Sequence, residues 1–218
     1  MLIKKQYAVI FFFFIFVAGI LSYQFIYSKA KQPSKHSLIQ SGIYLLDNPR
    51  KIVDFSLLNQ QGEAINQHQW KGQWQLIFFG FTHCPDICPM TLAIMKNAYS
   101  QLSTDHQSKI ELVLVTVDPA RDTATKLKQY IGFFGGNILG VTGDFLQLLQ
   151  LTQNLSVPFK KVMQDTSYTI DHSAYLYLID DKNQYQGFLK PPFTAETLAK
   201  KITTTIDWIE QNEHSNAR

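Results

Sequence analysis

The 218-residue chain has two cysteines, and they stand together: Cys84 and Cys88, in the stretch FFGFTHCPDICPMTL (78–92). Each is followed by a proline, and an apolar run leads into them. Thiols at this spacing support three chemistries: a structural disulfide, a redox-cycling dithiol, or part of a metal site. If the intervening residues were helical, the two Cα atoms would lie about 6 Å apart on nearly one face. That separation allows a disulfide and equally lets both sulfurs reach one ion. A bridge closing so small a loop removes little unfolded-chain entropy, so a purely structural role is the weakest of the three. A helix starting just after Cys84 would favour thiolates through its dipole and free N–H groups, aiding both nucleophilicity and ligation.

A metal site needs a further ligand, and the chain has six histidines. His36 and His214 fall near the termini, and His68 and His106 in polar stretches that read as solvated loops. His83 adjoins Cys84, but neighbours in extended chain point opposite ways, so it lines or tunes the site rather than ligating. His172, in SYTIDHSAYLYLID, precedes an apolar strand that could lie beside the one carrying the cysteines. Its position fits a ligand and a satisfied structural histidine equally well. Two thiolates with one imidazole form a soft set that suits Cu(I) and accommodates Cu(II), whereas structural zinc wants four closed ligands.

Those residues need a scaffold, and the hydropathy pattern supplies one. WQLIFFGF (74–81) is an apolar run interrupted only by Gln75, as in a strand buried on both faces, and IELVLVTV (110–117) reads as a second buried strand. Apolar residues at 92, 94, 95, 98 and 102 form a helical stripe, with Pro89 suited to its first turn. TATKLKQYIGFF reads as a helix ending near Gly135-Gly136, ILGVTG as a strand, and DFLQLLQLTQNL as a helix capped by Asp144. AYLYLID and QYQGFLK bracket the turn DKN as a hairpin, and a last helix starts near Thr194. KIVDFSLLNQQGEAI suggests another hairpin, turning at Gln61-Gly62. Strands alternating with helices predict an α/β fold, a mixed sheet with helices on both faces.

The N-terminus differs. Residues 8–27 are uncharged over about the length of a membrane-spanning helix. Lys4 and Lys5 precede this run, and Ser28-Lys29-Ala30 offers a cleavage pattern, but a cleavable peptide has an apolar core of only about 7–15 residues. The expected organisation is an uncleaved anchor (1–28), a polar linker (29–42), one domain (43–212) and a tail (213–218). The formal charge of +3 falls to about +1 without Lys4 and Lys5, which gives no electrostatic case for nucleic-acid binding.

Taken together, GFTHCPDICP, TVDPARDT and DHSAYLYLID resemble the Sco/SenC family of copper-binding cytochrome c oxidase assembly proteins. The similarity runs from about Lys51 to Ile206. It implies a thioredoxin-like fold with an N-terminal β-hairpin extension, a single membrane helix, and copper, Cu(I) or Cu(II), held by Cys84, Cys88 and His172. The C-x3-C spacing departs from the two-residue spacing of ordinary thioredoxins, and Asp181 replaces a proline frequent after YLID. By resemblance, Asp118, Arg121 and Asp122 match the family pattern. Asp118 is a candidate to orient His172, with a turn or helix cap as the plain alternative, and Asp86 a candidate to tune the thiolates or face a partner. The implied function is a metallochaperone for the copper centre of an oxidase subunit. The alternative is a thiol–disulfide oxidoreductase acting through Cys84 and Cys88, with a peroxide-handling enzyme as a third reading. Implied partners are the copper-receiving oxidase subunit, a membrane-tethered thioredoxin-like reductase and other copper chaperones. The short basic N-terminus lacks the composition of a mitochondrial transit peptide, so the expected location is a bacterial inner membrane, with the domain in the periplasm.

Overall fold

The computed structural model describes residues 10–23, 33–135 and 138–216, with side chains through residue 213. It divides into two units, 1–37 and 38–218. In the first, residues 10–23 form helix α1, whose phenylalanines Phe11–Phe14 and Phe16 are exposed. Among the described residues no helix is long and apolar enough to cross a membrane; the rest of the apolar run 8–27 lies outside them.

The stretch read as a linker contains a helix, α2 (Lys35–Gln40), with Leu38 1% exposed. The chain then lays down β1 (Ile43–Lys51), β2 (Leu57–Asn59), β3 (Ala64–Ile65), α3 (Gln67–Trp70), β4 (Trp74–Gly80) and α4 (Ile87–Tyr99). Next come α5 (Thr104–Lys109), β5 (Ile110–Thr116), α6 (Ala124–Gly132), β6 (Ile138–Thr142) and α7 (Phe145–Asn154). The series ends with β7 (Phe159–Met163), β8 (Tyr168–His172), β9 (Leu176–Ile179), β10 (Gln184–Leu189) and α8 (Ala195–Asn216).

Eight strands form one mixed sheet in the order β1-β10-β9-β4-β5-β6-β2-β3. At its centre β4 pairs in parallel with β5 and antiparallel with β9, and all seven of its residues are buried. An apolar run without alternation is what such a doubly covered strand requires. Each large apolar side chain placed there contributes roughly 1.5–3 kcal/mol relative to exposure. α4 packs beside α8, and α6 packs on β6.

The N-terminal extension is more than the expected hairpin. β2 and β3 do form a hairpin, on one margin of the sheet against β6, while β1 pairs with β10 on the opposite margin. β1 tolerates Pro49 because it is an edge strand. Its register shifts between Leu45 and Arg50, and Gly187 permits the close approach there. A Cβ on Gly187 (φ +145°) would meet the Tyr44 carbonyl oxygen at 2.0 Å. The second departure is a separate two-stranded ribbon, β7 paired with β8, absent from the sequence reading. It ends on His172.

Candidate metal centre

β4 runs out at Gly80, and the chain turns through Cys84 into α4. Asp86 is the N-cap residue by position, although its side chain makes no cap bond and is exposed. Cys88 therefore sits in the first helical turn, followed by Pro89, where a missing N–H costs nothing. Cys88 is fully buried and Cys84 is 9% exposed; both are free thiols. Gly80 makes room for the inner sulfur. A Cβ there would lie 2.9 Å from Phe78 Cε1 and 3.0 Å from Cys88 Sγ.

His172 arrives from 84 residues further along, with Nε2 3.3 Å from Cys88 Sγ. Phe78 and Phe81 flank its ring at centroid distances of 5.8 and 5.7 Å. Nδ1 lies 3.1 Å from the Ser173 carbonyl oxygen. A carbonyl only accepts, so Nδ1 carries the proton and Nε2 presents its lone pair to the sulfurs. One ligand atom from each of Cys84, Cys88 and His172 lies within 4.8 Å of the others. A three-coordinate ion with bonds on the order of 2.0–2.3 Å wants donors about 3.5–4 Å apart, so small side-chain shifts close the triangle.

The two thiols are unlike. Cys84 is pulled down to about 5, chiefly because the Cys88 thiol donates to it, against the opposing effect of burial. Backbone N–H groups of Asp86 and Cys88 add to the pull. Cys88 is pushed up, first because it donates to Cys84 and then because burial disfavours its charge. The pair is thus a thiolate at the mouth backed by a buried thiol.

One turn, 118–122, holds the surroundings of both arms. Asp122, wholly buried, accepts from Thr82 N at 2.9 Å, Thr82 Oγ1 at 2.6 Å and Thr116 Oγ1 at 2.7 Å. Thr82 stands two residues before Cys84, so this carboxylate fastens the cysteine arm. Asp118, expected to orient the imidazole, does not bond to it directly. Asp118 accepts from Arg121 Nε and from the Tyr168 hydroxyl at 2.8 Å, whereas His172 uses Ser173. The backbone turn is present, with Asp118 O accepting from the Arg121 and Asp122 N–H groups, but the cap of α6 is Thr123.

His83 remains beside the site, half-exposed, with Nδ1 3.1 Å from Thr82 Oγ1 and 3.7 Å from Asp122 Oδ1. His106, read as a solvated loop residue, instead bridges Ser103 and Asp207 and ties α5 to α8. The side chain of His214 lies outside the described residues. The sequence reading missed the parts of Gly80, Asp122 and Tyr168. A strand-end glycine and a threonine two residues before the first cysteine were visible, but nothing local paired them with Cys88 or Asp122.

The SCO1/SenC family model matches residues 44–207, three-quarters of the chain and all three donors. This chain belongs to the SCO1/SenC family. An SCO2-like protein of Rickettsia conorii is 39% identical over 71% of this chain and 76% of its own. The copper-bound structure of Bradyrhizobium japonicum ScoI superposes with a TM-score of 0.63 at 32% identity, covering 70% of this chain and 98% of that one. BsSco, described as a member of the Sco family of cytochrome c oxidase assembly proteins, shares the fold at 20% identity. Its TM-score is 0.57, over 73% of this chain and 96% of its own. The mixed sheet, with Cys84 in the loop after β4 and Cys88 in the first turn of α4, is the thioredoxin-like architecture of these Sco structures.

Proposed function

We propose that this SCO1/SenC protein binds one copper ion through Cys84, Cys88 and His172 and carries it to a cytochrome c oxidase subunit during assembly. The observation that carries this reading is the convergence of two free sulfurs and a correctly tautomerised imidazole within 4.8 Å. Among common ions, copper suits that soft, three-donor set best. Because ligation requires both thiols deprotonated, the ion displaces the proton that Cys88 retains. The direct test is copper content and sulfur-to-copper charge-transfer absorption of the purified protein. One copper per chain is expected, with the absorption lost on Cys84→Ala, Cys88→Ala or His172→Ala. Undiminished binding by all three variants overturns the assignment.

A second reading rests on the depressed pKa of Cys84, which suits a nucleophilic thiol backed by a resolving partner. In it the protein reduces the disulfide of an apo-oxidase subunit, and His172 does not ligate. His172→Ala separates the two: loss of copper with oxidase assembly retained supports the reductase. Either role needs Cys84 and Cys88 reduced, which supports a thioredoxin-like reductase as partner, with other copper chaperones as donors.

The exported, anchored location is part of the proposal. Its support is the uncharged run 8–27 and the exposure of Phe11–Phe14 on α1, since a helix apolar all round requires an apolar environment. Retention in bacterial membranes through carbonate extraction, with protease access from the periplasmic side only, is the expected behaviour. Recovery in the soluble fraction defeats it.

A further inference from the structure

The turn 118–122 grips the two arms of the site unequally. On the cysteine side Asp122, 0% exposed, holds Thr82 by two hydrogen bonds, at 2.9 Å to its N–H and 2.6 Å to its hydroxyl, and is itself fixed to the central sheet by Thr116. On the histidine side the arm is the ribbon β7–β8, which is outside the central sheet. Tyr168 ties it to the body. Its hydroxyl donates to Asp118, its carbonyl accepts from Arg121 Nη1 at 3.1 Å, and its half-buried ring lies under the Arg121 guanidinium at 3.7 Å. Beside these contacts a cavity of about 600 Å³ separates ribbon from body, bounded by Val117, Pro119 and Phe145 on one side and by Phe159 and Ile170 on the other. The ribbon has room to move once Tyr168 is freed.

We propose that Asp118, Arg121 and Tyr168 are positioning residues, a latch that sets how readily His172 leaves a bound copper ion. Because the latch ties down an arm that lies outside the central sheet, His172 is the first donor to open when copper passes to a partner. This rests on the copper reading above. The step is a ligand substitution. The bond from copper to Nε2 breaks with its lone pair staying on nitrogen. An incoming thiolate or imidazole of the acceptor forms the new bond, and no electron changes hands. Cys84 and Cys88 keep the ion meanwhile, since Asp122 fastens their arm at Thr82 and the buried Cys88 is fixed in the first turn of α4.

Tyr168→Phe tests the latch, because it removes one hydroxyl and keeps the ring on Arg121. Release of Cu(I) from the full-length loaded protein is followed as absorbance of bathocuproine disulfonate supplied in excess. Loss of a hydrogen bond to a carboxylate predicts release about tenfold faster. Leu112→Ala, a core substitution remote from the latch that keeps the copper donors, is the control, and is expected to change release by less than about twofold. A generally structural role would accelerate release in both variants alike, and that result, or a rate in Tyr168→Phe equal to that of the unsubstituted protein, overturns the proposal. Copper-free protein gives an independent readout. Amide hydrogen exchange at Ile170 and Asp171 is expected to rise in Tyr168→Phe and in Arg121→Lys, with Leu112 and Leu114 of β5 unaffected. Unchanged exchange in the ribbon refutes the latch; failure of the parent protein to bind copper refutes the copper reading while this arm still decides.

Discussion

Titrating the cysteine pair of the reduced, copper-free protein probes the site most directly. The buried Cys88 thiol donates to Cys84, and the N–H groups of Asp86 and Cys88 point the same way, which brings Cys84 down to about 5. An unperturbed thiol near 8.5 is about 3% thiolate at pH 7, while Cys84 would be almost fully ionised, a gain of about thirtyfold in thiolate. Low basicity costs nucleophilicity, however. With a Brønsted coefficient of about 0.4–0.5, the same shift slows attack by about 25- to 55-fold. The two effects cancel at pH 7, so a single rate there is uninformative. At pH 5.5 they no longer cancel, and Cys84 is expected to react about twentyfold faster than an unperturbed thiol.

The assay is iodoacetamide alkylation from pH 4 to 10, with the modified residue located by mass spectrometry. Alkylation of Cys84 should rise with an inflection near 5, while Cys88 stays unreactive until well above the ordinary thiol range. Both inflections are macroscopic properties of the pair. The linkage to stability follows with a definite sign. A thiol whose folded pKa is depressed stabilises the fold fully above its unfolded pKa, and that contribution is lost as pH falls through about 5. Cys88, held protonated, acts oppositely: its contribution is lost as pH rises past the ordinary thiol range, where the unfolded chain ionises. A Cys84 inflection at 8 or above, or equal reactivity of the two cysteines, refutes this account of the hydrogen bond.

Three further outcomes follow from the geometry. Gly80→Ala places a Cβ 3.0 Å from Cys88 Sγ, and pushing that sulfur off position should weaken copper binding about tenfold or more in chelator competition. An unchanged affinity would show that the strand end gives way instead. Asp122→Ala strands three donors, two from Thr82 and one from Thr116, and should lower stability in urea unfolding by about 3 kcal/mol while loosening the Cys84 loop. Leu112→Ala, at a fully buried position in β5, should cost about 2–5 kcal/mol yet leave copper stoichiometry at one, because the residue lies away from the turn that holds the donors.

Much of this protein is legible in local pattern. The largely apolar runs of β4 and β5, the stripe of Leu92, Met95, Ala98 and Leu102, and the cap at Asp144 each follow from chain geometry over a few residues. So does the chemistry of Cys84 and Cys88, whose spacing brings two sulfurs to one helix start. What local pattern could not supply was partnership at long range. Position alone left His172 balanced between ligand and structural residue, and the family resemblance tipped it. The ribbon that delivers it escaped notice because FKKVM and YTIDH are short and bury only Ile170 fully, and so show little alternation.

Asp118 illustrates the same limit. Its motif marked it as near the site, but whether its carboxylate faces His172 or Tyr168 depends on how a two-stranded ribbon folds back across some fifty residues. The amino-acid order by itself determined which donors exist and that two of them share one strand-to-helix turn, because those relations are set by backbone steps of a few ångströms. Only the tertiary structure decided which imidazole completes the set, which tautomer it presents and which carboxylate anchors each arm. Those depend on side chains meeting across the sheet, where packing rather than sequence separation fixes distance.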